Sequence, residues 1–171
     1  MPDRRKALCP RVLDVFHDAG VSCILHAGDV SSPSVLKELE QVAPVRAVRG
    51  NRDWVLLNQL PRTLILSFEG LRVVLDHGHG SWRQYVSDRL YYLRYGCLPG
   101  HFHDRLRSAF PSADVIVFGH THIPLNQWVN GQLLFNPGSP HFPESRKLFP
   151  SVGLLHFRGG KRVEGKIIKL E

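Results

Sequence analysis

The stretch Ser22-Cys23-Ile24-Leu25-His26-Ala27-Gly28-Asp29 decides how this chain folds. Its first half is short and apolar and reads as a buried strand; its second half breaks into a glycine and a carboxylate. Upstream, residues 5–19 place Leu8, Val12, Leu13, Val15, Phe16 and Ala19 near helical spacing, and Gly20 is a natural stop. Downstream, a second helix starts at Ser32, with Pro33 suited to its first turn and Val35, Leu36, Leu39 and Val42 on one face. Pro44 ends that helix, and Val45 to Val48 form the next strand. Helix–strand–helix–strand in so few residues predicts a parallel α/β core. The opening is unusual, because an α/β domain of this type ordinarily begins with a strand and this chain begins with a helix.

Hairpins follow. Thr63–Phe68 and Leu71–Asp76 flank Glu69-Gly70, and Gln127–Val129 and Gln132–Phe135 flank Asn130-Gly131, a strong turn signal. A last hairpin, Val152–Phe157 with Arg162–Ile168, is expected to turn at Gly159-Gly160. Asp114–Phe118 reads as another buried strand, and residues 81–110 are helical in tendency. There is no internal repeat, low-complexity tract or linker, so residues 1–171 are expected to form one domain.

Composition narrows the class. Hydrophobic residues make up 43% and charged residues 22% of the 171, the balance of a globular chain rather than a disordered one. No apolar run approaches the ~20 residues of a membrane span, and no apolar signal core follows the basic N-terminus. Cys9, Cys23 and Cys97 are odd in number and far apart, which points to a reducing, cytoplasmic setting. Twenty-two Lys and Arg against 15 Asp and Glu give a net charge of +7. Such a field draws in phosphate esters or nucleic acid, although an evenly basic, solvated surface accounts for it equally simply.

Four motifs each follow an apolar strand: Gly28-Asp29, Gly50-Asn51-Arg52-Asp53, His77-Gly78-His79 and Gly119-His120-Thr121-His122. Strand ends of a parallel sheet converge on one edge, where α/β proteins place their ligands. Carboxylate, amide oxygen and imidazole together suit Mn²⁺, Fe²⁺, Zn²⁺ or Ni²⁺ better than Mg²⁺ or Ca²⁺. Each motif alone is weak, a Gly-Asp being usually a turn; the four in order are specific.

The run LHAGDV, VRGNRD, HGHG, VFGHTH and FNPGS resembles the calcineurin-like metallophosphoesterases, within them the small bacterial and archaeal phosphodiesterases and a eukaryotic retromer subunit. The resemblance covers the chain from Leu25 onward. It implies a four-layer α-β-β-α sandwich of two mixed sheets with a two-metal site on one edge. It also implies that Asp29 bridges the metals, that Asn51, His77 and His120 complete the second metal site, and that His122 reaches back to the first. His79 and Arg52 would then lie at the substrate phosphate, with Asp53 placed to orient one of them. The implied cofactor is a divalent cation, Mn²⁺ foremost.

The chain departs from that pattern. The family opens with a strand ending in Asp-x-His, two ligands of the first metal, and no such motif occurs here; Met1-Pro2 falls just beyond its place. The expectation is a sandwich lacking its first strand, an upstream start, one cation instead of two, and weak or absent hydrolysis. A protein-interaction module on the same scaffold is the alternative. Arg52 stands where many relatives carry histidine; it can neutralise phosphate but cannot donate a proton, and pairing with Asp53 is its simpler role. Residues 82–95 interleave Arg83, Arg89 and Arg94 with Trp82, Tyr85, Tyr91, Tyr92 and Tyr95. They read either as a substrate cap or as an amphipathic helix packed on its own domain or on a second subunit.

Overall fold

The computed structural model describes residues 8–30, 32–53, 59–95, 99–141 and 149–170. Met1-Pro2, Cys97 and the side chains of Trp82, Tyr85, Arg89, Tyr92 and Tyr95 lie outside what is described. The elements run α1 (Pro10–Asp18), β1 (Ile24–His26), α2 (Pro33–Glu40), β2 (Val45–Ala47), β3 (Thr63–Phe68), β4 (Leu71–Asp76) and α3 (Trp82–Tyr95). They continue with α4 (Pro99–Ala109), β5 (Val115–Phe118), β6 (Leu125–Val129), β7 (Gln132–Asn136), β8 (Ser151–Arg158) and β9 (Arg162–Lys169).

Local chemistry explains most boundaries. Prolines open α1 and α2, where a missing N–H costs nothing. The Ser32 hydroxyl caps α2 by accepting the Ser34 N–H. Two hairpins turn on adjacent left-handed residues, Glu69-Gly70 and Asn130-Gly131, as strand twist requires. In the third, the left-handed pair is Gly160 and Lys161 rather than Gly159-Gly160, and Arg158 pairs with Arg162 across residues 159–161. The turn is therefore one residue later than expected.

Five strands form one continuous sheet in the order β3-β4-β5-β7-β6, parallel at its centre and antiparallel at both margins. The facing layer comes in two ribbons, β1 parallel to β2 and β8 antiparallel to β9. Val48, Val73, Leu75, Val115, Val117, Leu133 and Phe135 pack between the layers. On the outside of the ribbons, Val12 of α1 and Val35 and Leu39 of α2 meet Ile24, Val152 and Leu170. On the outside of the large sheet, Phe102 and Leu106 of α4 cover Val74, Ile116, Phe118 and Leu134. This is the expected order of helix, sheet, sheet and helix.

Between the ribbons lies a cleft of ≈ 1680 Å³. It reaches from Val12 and Phe16 on the helical side to Val117 and Phe135 of the opposite sheet, and passes Asp29, His120 and His122. Among the described residues, β1 pairs only with β2 and β8 only with β9. Along α3, Val86, Leu90 and Leu93 are 38%, 62% and 76% exposed, so this stripe is not what packs α3 onto its own domain.

Candidate functional site

The four motifs leave the C-terminal ends of β1, β2, β4 and β5, two from each layer, and meet at the layer boundary. Close approach is possible because of two glycines. A Cβ on Gly28 would lie 2.6 Å from His77 Nδ1 and 2.7 Å from the Gly50 nitrogen, and one on Gly50 would run into the Asp29 carboxylate. Asp29, His120 and His122 all take left-handed backbone, with φ of 57°, 62° and 54°. Outside glycine such backbone costs about 1–3 kcal/mol per residue and collects at functional loops.

His77, only 1% exposed, is the centre of the cluster. Its Nδ1 donates to the Ala27 carbonyl at 2.6 Å, which directs Nε2 toward Asn51 Oδ1 at 2.9 Å and Asp29 Oδ1 at 3.6 Å. His120 Nδ1 approaches the same Asn51 oxygen at 3.2 Å. The rings of His77 and His120 are 5.2 Å apart and those of His77 and His79 5.3 Å. Burial, reinforced by His77, pushes His120 down to about 3 and His79 down to about 4, so both imidazoles are neutral at pH 7. His79 Nδ1 is buried and has no hydrogen-bond partner among the described residues.

The donor set fits a divalent cation. Ligands about 2.0–2.2 Å from one ion lie about 3 Å from each other, which is how the Asn51 oxygen stands from the two imidazole nitrogens. With Nδ1 committed to the Ala27 carbonyl, His77 Nε2 faces the Asn51 and Asp29 oxygens, an arrangement that a cation held among them would satisfy. Among the described residues, no three His, Cys, Asp or Glu side chains already form a closed metal cage. The set converges only when the Asn51 amide is counted, as the atom that both imidazoles approach. His122 lines the cleft, as Asp29 does.

Two expectations are corrected. Arg52 does not pair with Asp53: its backbone N–H donates to Asp29 Oδ1 at 2.9 Å, and its guanidinium, on a side chain 69% exposed, lies 3.6 Å from Asp29 Oδ2. Asp53, 3% exposed, turns back into the loops and accepts the Gly50 N–H at 2.8 Å rather than orienting His79 or Arg52. Burial pushes its carboxyl up while the amides of Gly50, Val30 and Asp29 hold it down. It ties the Asp29 loop to the Asn51 loop.

Sequence reasoning missed the supports from α4. Arg105 Nη2 donates to the Gly78 carbonyl at 2.7 Å, and the Phe102 ring lies against Gly78 and stacks at 6.1 Å on His120. No spacing rule links positions so far apart in the chain.

Comparison with known proteins identifies the family. Residues 4–160 match the calcineurin-like phosphoesterase superfamily domain. A probable metallophosphoesterase of Methanothermobacter thermautotrophicus is 37% identical over 99% of this chain and 87% of its own length. A phosphodiesterase of Methanocaldococcus jannaschii is 28% identical over 81% of this chain and 76% of its own length. The crystal structure of wild-type Vps29 from Entamoeba histolytica complexed with zinc superposes with a TM-score of 0.67 at 20% identity, covering 99% of this chain and 93% of the other. With its strand-end carboxylate, amide and imidazoles gathered between two sheets, the chain belongs to the calcineurin-like phosphoesterase superfamily, whose members bind divalent metals.

Proposed function

We propose that the protein is a metal-dependent phosphoesterase of the phosphodiesterase type that hydrolyses small phosphate esters with water as nucleophile. The observation that carries this reading is the approach of His77 Nε2 and His120 Nδ1 to one oxygen of Asn51, beside the Asp29 carboxylate. Asp29, Asn51, His77 and His120 would hold one cation; the mixed oxygen and imidazole set suits Mn²⁺, Ni²⁺, Zn²⁺ or Fe²⁺, and the family resemblance puts Mn²⁺ first. Among the described residues, Asp29 and His122 are the matched family positions left for a second, and both line the cleft. A bound cation supplies Lewis acidity, drawing charge from a phosphoryl oxygen and making water a nucleophile at neutral pH.

The protein's own groups do the rest. Arg52, exposed and loosely paired with Asp29, is free to swing onto a phosphate oxygen and neutralise it. It cannot protonate a leaving group. His79, neutral at pH 7, binds phosphate as a hydrogen-bond donor rather than as a charge. Asp53 acts from behind, holding Asn51 and Asp29 in register. With one cation site complete, hydrolysis is weak.

The second reading is a protein-interaction module, favoured by the few donors for a second cation among the described residues and by the fold shared with Vps29. A cytoplasmic setting is supported by the free thiols of Cys9 and Cys23. Among the described residues, no helix is long and apolar enough to cross a membrane. Nucleic-acid binding and homo-oligomers rest only on the charge and the α3 stripe.

The test is to load the protein with Mn²⁺, count bound metal after gel filtration, and assay bis-p-nitrophenyl phosphate with and without EDTA. About one Mn²⁺ per chain with slow, chelator-sensitive turnover is expected. Tight metal without turnover would favour the interaction module; neither metal nor turnover would overturn the enzyme reading.

A further inference from the structure

Asn136 closes β7 and is fully buried, in a strand whose other residues are Gln132, Leu133, Leu134 and Phe135. A carboxamide in such surroundings is expensive unless its hydrogen bonds are made. Its Nδ2 donates to the Gly119 carbonyl at 2.9 Å and to the Thr121 hydroxyl at 3.0 Å, while its Oδ1 accepts the Gly138 N–H at 2.9 Å. A carbonyl only accepts and a backbone N–H only donates, so one setting of the amide serves both.

The two residues gripped by Nδ2 flank His120. That histidine and His122 both hold left-handed backbone, which persists only where the surroundings enforce it. We propose that Asn136 is the positioning residue of the His120-Thr121-His122 loop. It touches neither Asn51 nor Asp29; it pins the chain on both sides of His120, and so keeps Nδ1 of that ring facing the Asn51 oxygen. Aspartate, the same shape, cannot replace it, because a carboxylate has no donor and would set an oxygen against the Gly119 carbonyl. The role rests on the metal-site reading for its purpose but not for its detection.

The same strand supplies a control. Gln132, at the other end of β7, is 9% exposed and donates from Nε2 to the carbonyls of Phe110 and Ala113 at 2.9 and 3.0 Å. It is a second buried amide of the same strand, donating twice to backbone carbonyls but away from the His120-Thr121-His122 loop.

The parent chain, Asn136→Asp and Gln132→Glu are compared by Tm, by Mn²⁺ titration followed by electron paramagnetic resonance, and by amide exchange of Thr121 and Ile123. Those amides donate to the Gly119 carbonyl and to the Thr121 hydroxyl, so they report on the loop directly. Both variants are expected to lower Tm. Asn136→Asp alone should weaken Mn²⁺ binding by about 10-fold or more, the usual effect of removing an outer partner of a metal ligand, and speed exchange at Thr121 and Ile123. Equal losses of affinity in the two variants, or an unchanged loop in Asn136→Asp, overturn the proposal. If the parent binds no Mn²⁺, the metal-site reading fails, and amide exchange alone decides the role of Asn136. Asn136→Ser, smaller and uncharged, takes the same measurements should Asn136→Asp not fold.

Discussion

The large sheet and the layer that faces it share one core but are finished to different degrees. In the large sheet every inner strand has a neighbour on each side, and Val73, Leu75, Val115, Ile116 and Leu133 are 0% exposed. In the facing layer the two ribbons are held apart by the cleft, and Leu154 and Leu155 on β8 are only half-buried. The site draws on both. His77 and His120 stand on strands of the closed sheet, fixed by a backbone carbonyl, an arginine and a phenylalanine from a well-packed helix. Asp29 and Asn51 stand on the β1–β2 ribbon, tied mainly to each other through Asp53. The lesson is that the imidazoles are preorganised by tertiary packing, whereas the two oxygen donors are preorganised by local loop contacts.

The largest expected effect tests the packing contrast itself. Ile116→Ala in the closed sheet should lower stability by about 3 kcal/mol, as for a large side chain removed from a sealed core. Leu155→Ala beside the cleft should cost about 1 kcal/mol, because its surroundings already lie open. Urea denaturation with both variants checks this, and equal losses would erase the distinction between the layers.

Next comes the tie between layers. His77→Ala removes the imidazole that reaches from the large sheet to both Ala27 and Asn51 of the β1–β2 ribbon. Mn²⁺ affinity should fall about 100-fold, read by isothermal titration calorimetry. Retained affinity would mean that the oxygen donors of the ribbon hold metal without the closed sheet.

The smallest effect concerns pH. His26, on β1 at the edge of the cleft, is pushed down to about 4, first by burial and then by His77, and its Nδ1 has no hydrogen-bond partner among the described residues. The unfolded chain takes up this proton below its ordinary value near 6.5 and the native chain does not, so stability falls as pH drops from about 6.5 toward 4. His26→Gln should flatten Tm across that window. A slope identical to the parent's would show that water in the cleft already solvates the ring.

How much of this was legible beforehand depends on whether the signal was local. Glu69-Gly70 and Asn130-Gly131 announce their hairpins because a two-residue turn needs left-handed backbone at both positions. Gly159-Gly160 misled by one residue because Lys161 takes a conformation that sequence rarely assigns to lysine. The gathering of Asp29, Asn51, His77 and His120 followed from strand-end motifs, since strand direction alone brings such ends together. What a side chain does after leaving its strand was not legible. Asp53 was expected to orient His79 or Arg52, or simply to pair with Arg52, but folds back to bind backbone amides. Arg105 acts on Gly78 from 27 positions away, with no pattern joining the two.

The contact between Gly28 and Gly50 also bears on how such a site can change over generations. The smallest step available to either codon that alters the residue adds at least one carbon, and at both positions that carbon meets atoms of the opposite loop at less than contact distance. There is no graded series of intermediates through which the two loops could drift apart while the donors stay together. A lineage that loses either glycine must rebuild the junction in the same step.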